Sequence, residues 1–180
     1  MPVHQQAQQI AHHVAYEVEL FFRSVERFEQ SSGQDVISDN QCLEDALTHA
    51  RVIYEFLFRP PRRNCPDVRA RHFFDTPSQW TLSSGDLCPY MMKHLERLNR
   101  SVLHLSYDRL QYEPNKKWDL HTITNEIKDS WKFFLEKLPP ERRQWFAPSG
   151  APQTGPYSPQ TNLCAKTESI IADQRAIRPI

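Results

Sequence analysis

The chain has 180 residues, enough for one domain with a sizeable core plus a tail and cramped for two. Hydrophobic residues at 39% and charged residues at 24% are the balance of a water-soluble globular protein, and a mean hydropathy of -0.67 leans polar enough to predict an unfolded segment. Lys+Arg and Asp+Glu both number 22, so no global field draws nucleic acid or an anionic membrane, and any basic site must be local.

Ile10, Val14, Val18, Phe21, Val25 and Phe28 recur at spacings of three and four, which predicts a first amphipathic helix from about Gln5 to Gln30. Ser31, Ser32 and Gly33 end it. No basic segment followed by an apolar one opens the chain, and no stretch reaches bilayer length, so the protein is expected to be neither secreted nor membrane-embedded. Asp39 or Asn40 is placed to cap a second helix over about Gln41 to Phe58, with Leu43, Ala46, Leu47, Ala50, Tyr54 and Leu57 on one face. The small residues at 46 and 50 admit a close neighbour, Arg51 is spaced to pair with Glu55, and His49 at the edge of the apolar face is a secondary candidate for chemistry.

Pro60, Pro61 and Pro66 stop this helix in a surface loop. Arg59, Arg62, Arg63, Arg69 and Arg71 make the loop the densest positive charge in the chain, and guanidinium groups suit bidentate phosphate contacts. Arg59, Arg62 and Arg63, with Arg100 further on, are the candidate RNA contacts; a solvated loop pairing with Asp67 and Asp75 is the alternative. Asp67 to Asp75 reads as a short helix whose Phe73 and Phe74 plug the core, and Trp80 follows in a connection.

A central helix is expected over Met91 to Leu110, beginning near Asp86 or Pro89. At about 100° per residue, Met91, Leu95, Leu98, Val102 and Leu105 share one arc facing the core. Arg97, His104 and Asp108 lie nearly opposite, flanked by Lys93 and Arg100. Leu103 and Tyr107 fall on the polar side too, which suggests a cover from another helix or a second subunit. A loop with Pro114 and Asn115 leads to a last long helix from about Asp119 to Leu138, where Leu120, Ile123, Ile127, Trp131, Phe134 and Leu138 are in register and Pro139 and Pro140 stop it. Glu141 to Phe146 adds a further turn, and Ala147 to Ile180, rich in Pro, Gly and Ser, reads as mostly disordered. The expected fold is all-α: a bundle of four main helices with short accessory helices over residues 1–146, then the tail over 147–180.

Cys42, Cys65, Cys88 and Cys164 form no CxxC pair and have no histidine at zinc-ligand spacing, so no metal site and no disulfide framework is expected, and the thiols read as reduced in a cytoplasm. GxGxxG, P-loop, HExxH and GxSxG motifs are absent, and no cofactor is expected.

The stretch RLNRSVLH places an Arg, six residues and a His on one helix of a bundle, Arg97 and His104, and resembles the HEPN superfamily (higher eukaryotes and prokaryotes nucleotide-binding). HARVIYEFLFRPPRRNCPDVRARHFF followed by LNRSVLHLSYDR and a later tryptophan-containing helix is similar to a group of uncharacterised bacterial helical proteins, over roughly residues 40–138. For a catalytic member the resemblance implies a homodimer in which Arg97 and His104 of two subunits meet across a cleft. In catalytic members such a cleft cuts RNA without a metal, and other members bind nucleotides or protein partners without cutting. In the catalytic case His104 would move the 2′-hydroxyl or leaving-group proton, Arg97 would stabilise charge on the phosphoryl oxygens, and Asp108 would orient the imidazole. The leading expectation is a non-enzymatic interaction or nucleotide-binding module, on the formal neutrality, the Pro-rich tail and Leu98 standing after Arg97 where the motif usually has a polar residue. The alternative is a metal-independent endoribonuclease in a toxin-antitoxin or phage-defence role.

Overall fold

A computed structural model describes residues 3–31, 33, 35–60, 65–80, 84–103, 107 and 117–147. Its first helix, α1 (Val3–Gln30), buries Ala7, Ala11, Val18, Phe21 and Val25 along the stripe that the periodicity marks. Gly33, at a φ of +69°, lies in the turn that reverses the chain, where a side chain would strain the backbone. The second helix, α2 (Val36–Phe58), begins five residues before the expected Gln41, and its cap is Asp35 rather than Asp39 or Asn40. Asp35 Oδ1 accepts from the backbone N–H of Ile37 at 3.1 Å and of Ser38 at 3.2 Å. The early turns escape a reading by periodicity because Val36 and Ile37 are 65% and 81% exposed and carry no buried stripe.

α1 lies along α2 in the most extensive helix pair of the fold. Ala11, Ala46 and Ala50 are each 0% exposed, so alanines on both partners let the two backbones approach, as the small residues of α2 predict.

Beyond α2 the chain forms no regular element over Cys65–Arg69, then makes a 3-10 turn over Ala70–Phe73 and another over Pro77–Gln79. The short helix expected over 67–75 is therefore reduced to four residues. Asp67 does not cap a helix, because its carboxylate takes Arg69 Nη2 at 2.5 Å, and Arg69 keeps an extended backbone while its own N–H donates to His72 Nδ1 at 3.2 Å. Phe73, Phe74 and Trp80 are buried, and Trp80 Nε1 donates to Leu57 O at 2.6 Å, closing the last turn of α2.

Next come α3 (Ser84–Leu87) and α4 (Pro89–Leu98), the latter with proline in its first turn. The unbroken α-helix expected over Met91–Leu110 does not continue past Leu98: a π turn occupies Asn99–Leu103. Ser101 Oγ donates to Arg97 O at 2.6 Å, a side-chain bond to the carbonyl one turn back that competes with the regular ladder. Met91 and Leu98 are buried and Leu95 and Val102 pack against the core as expected; Leu105 lies outside the described residues.

α5 (Leu120–Lys137) is capped by Asp119, whose carboxylate accepts from Thr122 N at 2.9 Å and Thr122 Oγ1 at 2.7 Å. After Pro139, α6 (Pro140–Arg143) runs into a 3-10 turn over Gln144–Phe146, the further turn read at Glu141–Phe146. One core extends from Ala7 to Phe146, and among the described residues there is no strand. Its centre is Phe134, whose ring lies 5.3 to 6.2 Å from those of Phe56, Phe73, Phe74, Trp80, Trp131 and Phe146. The tail expected to be disordered falls, apart from Ala147, outside the described residues, and none of the described helices is long and apolar enough to cross a membrane.

Candidate functional site

The polar side of α4 is held by the segment that leads into α5. Tyr90, His94 and Arg97 follow one another at one-turn spacings, so all three project from a single face. The Tyr90 and His94 rings are 4.3 Å apart, His94 meets Trp118 edge-on at 6.4 Å, and Arg97 lays its guanidinium over the Trp118 ring, 4.2 Å from the centroid. Arg97 Nη2 also donates to Lys117 O at 3.3 Å, and Tyr90 Oη accepts from Asp119 N at 3.2 Å. The cover for Arg97 thus comes from Trp118 of the same chain. Lys93 and Lys117 stand exposed beside this cluster.

Burial first, then Lys93 and Arg97, holds His94 below the usual imidazole range, so the ring is neutral at neutral pH. A neutral imidazole accepts a hydrogen bond or stacks on a base, and the neighbouring guanidinium supplies the charge.

Of the residues singled out in the sequence, Arg97 belongs to this cluster. His104 and Asp108 lie outside the described residues, as do Arg62 and Arg63. The π turn at Asn99–Leu103 stands between Arg97 and position 104, so the shared direction expected from seven α-helical positions does not follow from this backbone. Arg100 is exposed and pairs with Glu96 at 2.6 Å, and Arg59 pairs with Glu55 at 2.6 Å, both at one-turn spacing. Arg51 pairs with the same Glu55 at 3.2 Å, as its spacing predicts. His49 is a structural group: its Nδ1 lies 2.7 Å from Glu17 Oε2, joining α2 to α1. Tyr107 is 90% exposed.

Tyr90, His94 and Trp118 are the members that the sequence reading passed over. The signal was present, because His94 sits three positions before Arg97 and four after Tyr90, but Trp118 is outside any periodic stretch and only the fold brings it over. Glu126 was also passed over. It sits 9% exposed on the apolar side of α5 and accepts from Tyr90 N at 2.7 Å and Met91 N at 3.0 Å, filling the positive end of α4 with a carboxylate from within the chain. Cys88, just before α4, is buried 3.1 Å from Ser130 Oγ; burial pushes its thiol up to about 12, which makes it a packing group and not a nucleophile. Among the described residues no three His, Cys, Asp or Glu side chains converge to hold a metal ion.

No family model, curated protein or solved structure matches the chain. The reading of the site rests on its residues and their geometry.

Proposed function

We propose that the protein is a non-catalytic, HEPN-like helical module that binds nucleotides, free or within single-stranded RNA, on the face made by α4 and the approach to α5. The observation that supports it is Arg97 laid on Trp118 beside the Tyr90 and His94 rings, tilted against each other at 4.3 Å, with Lys93 and Lys117 exposed alongside. Aromatic surface flanked by cations takes unpaired bases by stacking and their phosphates by charge, with little dependence on sequence. Arg97 spends a donor on the Lys117 carbonyl and a face on the indole, which suits a positioned platform better than a group reserved for a phosphoryl oxygen.

The test is fluorescence anisotropy with a labelled single-stranded RNA in low and moderate salt. The intact protein binds in a salt-dependent manner, and Lys93→Glu with Lys117→Glu weakens binding by about tenfold or more at low salt. Absence of binding by the intact protein, or equal binding by the double variant, overturns the reading. Cleavage of the RNA that stops in a folded His104→Ala variant replaces it with the endoribonuclease reading.

A further inference from the structure

A second feature lies at the other end of the sequence's charge pattern. Where α2 ends, a cleft of about 80 Å³ opens between the helix terminus and the 3-10 turn of Ala70–Phe73. Leu57, Phe58, Ala70 and Trp80 form its apolar part, and Arg59, Arg69 and Arg71 form the rest, so the lining carries three guanidinium groups and no carboxylate.

The charges around it do not cancel. Glu55 answers both Arg51 and Arg59, and Asp67 answers Arg69, whereas Arg71 makes no ion pair with a described residue. Arg59 engages Glu55 through Nη1. Arg69 is 5% exposed and gives its Nη atoms to Glu55 O, Val68 O and Asp67, yet its buried Nε has no hydrogen-bond partner among the described residues. A buried donor without a partner is costly and marks a place where an acceptor belongs. The positive field also reaches His72, which burial, Arg69 and Arg71 together hold below the usual imidazole range.

We propose that this cleft is a binding site for one terminal phosphate group. Its size admits a single tetrahedral oxyanion with a few waters. Arg59 and Arg71 supply the forked donors, and Arg69 supplies fixed charge beside them. Two of the carbonyls at the end of α2, which would repel an anion, are already occupied: Leu57 O takes Trp80 Nε1, and Glu55 O takes Arg69 Nη1 and Arg59 N. The site is independent of the α4 face and holds or fails without it.

Calorimetric titration of the full chain with inorganic phosphate, 5′-AMP and adenosine, in chloride-matched buffer, tests it. Binding of inorganic phosphate or of 5′-AMP that does not depend on Lys93 and Lys117 is expected, and Arg71→Ala and Arg71→Gln, which break no ion pair with a described residue, weaken it by about tenfold or more. Tighter binding of 5′-AMP than of inorganic phosphate assigns the phosphate to a nucleotide, and the reverse assigns it to the free ion. The Lys93→Glu, Lys117→Glu variant retains this binding. Absence of phosphate binding, or phosphate binding unchanged in folded Arg71 variants, overturns the proposal.

Discussion

His72 and His94 are both held neutral by what surrounds them. His72 Nδ1 accepts the Arg69 N–H at 3.2 Å, so a proton on that nitrogen would face a donor as well as Arg69 and Arg71; His94 faces Lys93 and Arg97. Each has a folded-state pKa below its ordinary 6.5, so between the two values the unfolded chain binds more protons than the folded one. The stability they contribute is complete above pH 6.5 and declines as the pH falls below it. Urea denaturation from about pH 7.5 to about pH 5.5 should show the midpoint falling, and a His72→Asn, His94→Gln variant should lose part of that fall. A variant whose midpoint drops as far as the parent's would show that the two imidazoles do not titrate with folding.

The helices whose buried face is regular were legible in the sequence, and those shaped by a single polar contact were not. α1 and α5 follow from apolar spacing, with Asp119, where the last helix is expected to begin, serving as its cap. The start of α2 was hidden because Asp35 is followed by two exposed apolar residues, and the end of α4 because periodicity does not register a serine hydroxyl taking the Arg97 carbonyl. Of the α4 face, Arg97 was legible and the indole above it was not, since Trp118 precedes its helix and reaches Arg97 through the fold. α4 also depends on a distant cap: Glu126 holds two N–H groups of its first turn. Glu126→Ala leaves both buried without an acceptor and should cost about 1–3 kcal/mol, with Glu126→Gln costing less because its amide oxygen still accepts. Thermal denaturation of the two variants measures the order, and an alanine variant as stable as the parent would refute the cap.

What joins the helices into one body is Phe134, fully buried and ringed by aromatics from α2, the 3-10 segments, Trp80 and the last turn at Phe146. Phe134→Ala removes the one group that all of them touch and should cost about 3–5 kcal/mol, with Phe134→Leu losing less. Chemical denaturation gives the number, and a loss below about 1 kcal/mol would mean that the surrounding rings close over the gap. Against this rigid centre the chain leaves α4 by a different kind of join. A π turn spends one residue more than an α turn on each revolution, so Asn99–Leu103 carries a residue of slack. Losing that residue would return the ladder to α register and turn the exit of the backbone from Leu103 by about 100° about the helix axis, while Met91 and Leu98 stay seated in the core. The direction in which the backbone leaves α4 is thereby set by one local count of residues, and Val102, seated against the core from within the turn, moves with any change of that count.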